Sequence, residues 1–160
     1  VEMYLPIYEK LCKLKYSIIR LANVYGPRQD PHGEAGVIAI FAKSMLTGRP
    51  LTIFGDGNDQ RDYVFVGDVV DAIFKAGNGS IEGPFNIGTG IGTSTNRIFE
   101  LVAQQCRHDK PAIHGPIRPG DINRISLDSS KANRDLGWSV QVDIEDGLKT
   151  TVEWFKQQVD

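Results

Sequence analysis

Residues 52–66 read TIFGDGNDQRDYVFV. A short apolar run stops at Phe54, a polar stretch of Gly, Asp, Asn and Gln follows, and Arg61 stands directly before a second apolar run. Two β-branched and aromatic segments around a Gly- and Asp-rich stretch predict two strands joined by a loop. Immediately downstream, Asp68 is placed to cap a helix whose Val69, Ile73 and Ala76 share one face, and Gly77 and Gly79 end it. Strand, loop, strand, helix is therefore the local grammar.

The same alternation continues in both directions. Upstream, Met3, Ile7, Leu11 and Leu14 follow helical spacing, with Pro6 as an interior blemish. Residues 16–21, YSIIRL, predict a buried strand, and residues 22–36, rich in Gly, Pro, Asn and Asp, a long loop of the kind that is uncommon unless functional or disordered. Residues 37–46 predict a helix stopped by Gly48 and Pro50. Downstream, residues 84–87 predict a strand and 88–92 a turn. The next helix carries Ile98, Leu101, Val102 and Cys106 on one face, and Ile113 sits in a short strand. Residues 125–127 are extended, and a helix over about 129–136 ends at Gly137, a left-handed cap. Asp143 caps a last helix with the stripe Ile144, Leu148, Val152, Phe155 and Val159. Strands alternating with helices make the class α/β.

Composition narrows the function classes. A formal charge of -2 over 160 residues gives no positive field for nucleic acid or anionic lipid. No apolar run approaches the roughly 20 residues of a membrane span. Cys12 and Cys106 lie far apart without a CxxC, and read as reduced, half-buried thiols of a cytoplasmic protein. The opening VEMYL has neither an initiator Met nor a helix cap, and reads as the continuation of something longer.

Three polar positions carry the chemistry. Arg61 stands at a strand mouth, where α/β sheets gather ligands, and reads either as an anion ligand or as half of an ion pair with a nearby aspartate. Arg118 lies in RPGD, residues 118–121, where Pro119 and Gly120 favour a tight reversal with Asp121 at its end. That turn reads either as a grip for an anion and a diol or as a solvated corner. Asn23 follows the buried strand directly, and Arg28 and His32 add charge to the loop behind it. His32, His108 and His114 are assigned no chemistry. There is no GxGxxG and no GxxxxGK; Gly88-Thr-Gly-Ile-Gly92 only imitates the first, with the wrong spacing. No nucleophile elbow or metal-ligand spacing occurs. Spacing alone supports an anion-binding half-site without a catalytic group.

Taken in order, Arg20, Asn23-Val-Tyr-Gly-Pro-Arg28, Phe54-Gly55, Arg61-Asp-Tyr-Val64, Phe85-Asn-Ile-Gly-Thr-Gly90 and Arg118-Pro-Gly-Asp121 resemble the C-terminal half of the NAD-dependent epimerase/dehydratase family, the extended short-chain dehydrogenase/reductases. Within it, the loop NVYGPRQDPHGEAGVIAIF is most similar to the UDP-glucose 4-epimerases. The resemblance covers the whole chain. It implies an α/β fold made of the last Rossmann elements plus the small substrate-binding domain. Residues 1–21 and about 62–92 would be remnants of the Rossmann domain, about 22–61 and 93–160 mainly the substrate-binding region, and the N-terminal cofactor-binding half would lie outside this chain.

The resemblance also implies roles. Arg61 and Arg118 match arginines on the diphosphate of a UDP-sugar, Asn23 an asparagine on the phosphate or sugar, and Asp121 an aspartate on the ribose. Phe54 matches an aromatic near the base, Val37 and Ile38 the start of a helix beside the uracil, and Ala22 the passage beside the nicotinamide of NAD. The family's Tyr-x-x-x-Lys, which works on the sugar 4-hydroxyl while NAD takes the hydride, is not in the sequence, so the chain alone is expected to be inactive. Neither Tyr25 nor Tyr63 is a substitute; Tyr63 is expected in the core. Residues 1–14 match a helix that often builds a homodimer, whose exposed apolar face would pair abnormally. Ile125, where some epimerases carry a bulky gate, and Val37, where some relatives carry asparagine, leave the sugar open among glucose or galactose, N-acetyl forms and uronic acids. Two other readings compete: the same portion of a dehydratase or decarboxylase acting on a dTDP-, UDP- or GDP-sugar, and a non-catalytic module binding a nucleotide sugar or a protein.

Overall fold

The computed structural model describes residues 1–32, 36–78 and 82–159. Gly79, expected to help end the helix after Val69, lies outside the described residues, as do residues 33–35 of the long loop. The 52–66 stretch folds as read: β3 (Thr52–Phe54), a turn, then β4 (Gln60–Phe65), which runs straight into α3 (Val66–Asn78). Along β4 the side chains alternate. Arg61 and Tyr63 face a cavity, while Asp62 and Val64 point the other way and are almost fully buried.

Three small sheets carry the strands. β1 (Ser17–Leu21) pairs in parallel with β5 (Gly83–Ile87), Ser17 opposite Gly83. β2 (Asn23–Tyr25) pairs in parallel with β4, Asn23 opposite Tyr63, and β6 (Gly92–Ser94) runs antiparallel along the other edge of β4. β3 pairs in parallel with β7 (Ile113–Gly115), Phe54 opposite Gly115. The expected loop from residue 22 thus contains a strand. Its Asn-Val-Tyr is ordinary strand sequence, and Tyr25 is buried with its ring edge-on to Tyr63 and Phe65 at 6.5 and 5.7 Å.

Two apolar cores hold these sheets. One gathers α2 (Val37–Leu46), α4 (Thr95–Cys106) and α6 (Ile144–Lys156) around Tyr25, Ile53 and Tyr63. The other packs α3 and α5 (Ser130–Leu136) with Trp138 against Phe85 and Ile87 of β5. Asp143 caps α6 as expected, accepting from the amide of Asp146 at 2.9 Å, and Gly137 closes α5 in the left-handed region at φ 62°. Helix α6 ends at Lys156, so Val159 of the predicted stripe lies beyond it.

Several expectations are corrected. Asp68 does not cap α3. It sits buried inside the first turn and accepts from the amides of Gln141 and Val142, both at 3.2 Å, while its carbonyl accepts from the Trp138 indole at 2.8 Å. The buried face of α3 is Val69, Ala72 and Ala76; Ile73 is 52% exposed. Pro6 falls in the first turn of α1 (Leu5–Cys12), where its missing N–H costs nothing. No residue of α1 is buried, and Met3, Ile7 and Leu11 are all exposed. Cys12 is exposed as well, and only Cys106 is half-buried; both are free thiols. Among the described residues no helix is long and apolar enough to cross a membrane.

Candidate functional site

Arg61 and Arg118 line one cavity of about 890 Å³, together with Asn23, Val37, Phe54 and Asp121. Six of the seven predicted substrate residues therefore converge, from β2, β3, β4, the start of α2 and the strap between β7 and α5. The seventh, Ile38, is buried and lines a second cavity of about 280 Å³ with the predicted cofactor neighbour Ala22. Asn23, Val37 and Tyr63 line both spaces. Ile125, expected as an aliphatic gate, is 40% exposed and lines neither.

Among the described residues neither Arg61 nor Arg118 forms an ion pair, so the reading of Arg61 as half of an aspartate pair does not hold. Arg61 instead donates through Nη1 to the carbonyl of Gln60 at 3.0 Å and to that of Ile122. Arg118 lays its guanidinium on the Phe54 ring, 3.7 Å from the centroid. Two guanidinium groups without a salt bridge on one cavity are suited to an anion, because a planar fork matches phosphate oxygens two at a time. The RPGD turn is closed by the Asp121 amide donating to the Arg118 carbonyl at 3.3 Å, with Gly120 at φ 88° as a type II turn requires. Asp121 and Asp59 add carboxylate acceptors to the same wall, suited to a diol.

The loop between β3 and β4 is tethered, not slack. Asp56 accepts from the amide and side chain of Asn58, both at 2.9 Å, which holds its carboxyl below the usual range. Its carbonyl accepts from Asn96 of α4 at 2.8 Å.

Asp62 is the residue that sequence reading missed. It is 1% exposed and accepts four hydrogen bonds: from Thr89 N at 2.8 Å, Thr89 Oγ1 at 2.6 Å, Gly90 N at 2.9 Å and Leu127 N at 3.1 Å. A carboxylate directly before the apolar run Tyr63-Val64-Phe65 of the same strand was the available signal, since such groups are buried only with partners. The bonds also explain why residues 88–92 are no dinucleotide loop. The amides of Thr89 and Gly90, which would face a phosphate, are already committed to Asp62.

Among the described residues no His, Cys, Lys or Glu lines the 890 Å³ cavity. Tyr63 does, but burial pushes its phenol up to about 12, with Arg61 drawing it back only in part. It is therefore a poor acid or base near neutrality. Among the described residues no cluster of His, Cys, Asp or Glu could hold a metal ion. The arrangement grips and orients.

The model of the NAD dependent epimerase/dehydratase family matches residues 1–88. The chain belongs to that family. It is 50% identical over 159 residues to the UDP-glucose 4-epimerase of Mycolicibacterium smegmatis, covering 98% of this chain and 50% of that protein. The solved UDP-glucose 4-epimerase of Thermotoga maritima with UDP-glucose superposes with a TM-score of 0.96 at 48% identity, over 99% of this chain and 52% of that one. The Thermus thermophilus UDP-glucose 4-epimerase in complex with NAD gives 0.90 at 42% identity, again over 99% of this chain and 52% of that one. The chain thus spans about half the length of the curated relatives it matches, and its α/β fold is the Rossmann-like fold of this epimerase family. Family membership also accounts for the expectation of NAD. Ala22, expected beside the nicotinamide, lines the smaller cavity. The glycine-rich turn of residues 88–92 has its Thr89 and Gly90 amides bound to Asp62 and does not offer them to a phosphate.

Proposed function

We propose that this chain is the nucleotide-sugar-binding portion of a UDP-glucose 4-epimerase. The observation that carries the reading is the convergence of Arg61 and Arg118, neither ion-paired among the described residues, on a cavity that also holds Asn23 and Asp121. In this reading the two guanidinium groups take the diphosphate, Asp121 the ribose, and Asn23 the phosphate or sugar. Val37 and Phe54 flank the base.

The same residues bind and orient but move no proton. Among the described residues the cavity wall offers no His, Cys, Lys or Glu, and in this reading the 160-residue chain holds UDP-glucose without converting it. NAD chemistry, and the homodimer for which the exposed apolar side of α1 is suited, belong to the longer enzyme of which this portion would be a part.

Calorimetric titration with UDP tests the reading. Binding that is lost in Arg61→Ala and Arg118→Ala supports it, whereas a chain that takes up no UDP at millimolar concentration overturns it. Incubation with UDP-galactose and NAD, followed by proton NMR, checks the second part. Appearance of UDP-glucose would show that this chain carries catalytic groups of its own.

A further inference from the structure

Arg61 and Arg118 are held in different ways. Arg61 spends donors on two main-chain carbonyls. Arg118 lies on a strap, residues 116–123, that has no helix or strand, and its guanidinium makes no hydrogen bond or ion pair among the described residues. Its one partner is the face of Phe54, 3.7 Å away.

That ring is a firm support. Phe54 ends β3 opposite Gly115, and the next amide, Gly55 N, donates to the Gly115 carbonyl at 3.0 Å. With 39% of Phe54 exposed, one side of the residue remains open to the cavity. A free arginine on an irregular strap samples many rotamers, and that freedom is lost when it binds a ligand. The ring restricts the guanidinium beforehand, and its N–H donors, none of them hydrogen-bonded among the described residues, stay free. An ion pair or a carbonyl would have consumed some of them.

The geometry points to Phe54 as a positioning residue for Arg118: the ring holds the guanidinium at the cavity with its donors unspent, ready for a diphosphate. This rests on the nucleotide-sugar reading above and extends it, since an aromatic beside a nucleotide base would otherwise be explained by the base alone. Cation–π contacts of this kind correspond to about a two- to fivefold change in affinity at a partly exposed site.

Inorganic pyrophosphate separates the two roles, because it has charge and no base to stack. The 160-residue chain is titrated calorimetrically with pyrophosphate and with UDP as wild type, Phe54→Leu, Phe54→Tyr, Arg118→Ala and the Phe54→Leu/Arg118→Ala double variant. Phe54→Leu is expected to weaken pyrophosphate about two- to fivefold. Phe54→Tyr is expected to restore it, and Phe54→Leu to add nothing once Arg118 is gone. Loss of UDP affinity with pyrophosphate unchanged, or the same loss with and without Arg118, overturns the inference. Wild-type NMR gives a check independent of any variant: the Arg118 Hε resonance should lie upfield through the ring current of Phe54, and a random-coil position refutes the stack. If wild type binds neither pyrophosphate nor UDP, the nucleotide-sugar reading fails and this one with it. If wild type binds both and Phe54→Leu is indifferent, only this one fails.

Discussion

The guanidinium of Arg61 donates to the main-chain carbonyl of Ile122, which fastens β4 to the strap that carries Arg118 and Asp121. Three more bonds run along the same seam: Gln60 N to Asn123 O at 2.8 Å, Ile125 N to Gln60 O at 3.2 Å, and Leu127 N to Asp62 at 3.1 Å. One strand therefore places both arginines, its own directly and the other through the strap.

This asymmetry makes the two arginines distinguishable. Both Arg61→Ala and Arg118→Ala should weaken UDP by about 2–5 kcal/mol, roughly 30-fold to several thousand-fold. Arg61→Ala should also lower the melting temperature, by about 2–4 °C and by more than Arg118→Ala, because it removes hydrogen bonds, one of them tying β4 to the strap, whereas Arg118→Ala removes a partly exposed ring contact. Calorimetry paired with thermal unfolding decides, and equal melting losses would contradict the division.

Asp62→Asn tests the buried carboxylate. An amide keeps one acceptor oxygen and turns an NH₂ toward donors that need acceptors. The expected loss is about 2–4 kcal/mol in urea unfolding. UDP binding should weaken as well, because Leu127 loses its anchor and the strap loosens. An unchanged midpoint would mean the four bonds contribute little.

Gly147 of α6 should resist a substitution that normally helps a helix. Gly→Ala in an exposed helix gains up to about 1 kcal/mol. Here the added Cβ would stand 2.1 Å from the Tyr25 hydroxyl and 2.9 Å from its Cζ. Gly147→Ala is therefore expected to destabilise by about 1–3 kcal/mol. Adding Tyr25→Phe should recover part of the loss, since it removes the nearest atom only. Denaturant midpoints of the single and double variants read out the difference.

Alkaline stability follows from Tyr63. Burial disfavours its phenolate, so the folded chain holds the proton more tightly, with the phenol pushed from 10.0 up to about 12. The stabilisation is complete below about pH 10 and is lost as pH rises from there towards 12. The half-buried Cys106 thiol, raised by desolvation from 9.0 to about 11, adds a fall in the same direction that begins lower. Tyr63→Phe should flatten the decline between about pH 10 and about pH 12 without abolishing it. Urea midpoints across that range test this, and identical slopes would show that the phenol is not excluded from water.

The sequence made a strand beside Arg61 plain, because a β-branched and aromatic run is a local signal, and its motifs singled out Arg61 and Arg118, which line one cavity. Asn23–Tyr25 was hidden among Gly and Pro because what makes it a strand is β4, far along the chain. The α3 face was misjudged for another reason. Val70, Ile73 and Phe74 form an exposed apolar stripe beside the buried Val69, Ala72 and Ala76, and spacing cannot choose between two apolar sides of one helix. Asp68 and Asp62 escaped notice as organisers because their partners, Gln141 and Val142 for the first and Thr89, Gly90 and Leu127 for the second, are distant in sequence.

The pairing pattern also bears on how the chain reaches this state. Ser17 meets Gly83, Asn23 meets Tyr63 and Thr52 meets Ile113, and among the described strands none is joined to its immediate successor as a hairpin. Large loops must close before any ladder rewards them, so contact order is high and refolding from denaturant is slow. While it waits, the polypeptide displays bare strand edges to its neighbours, which favours dilute conditions for recovering the native form.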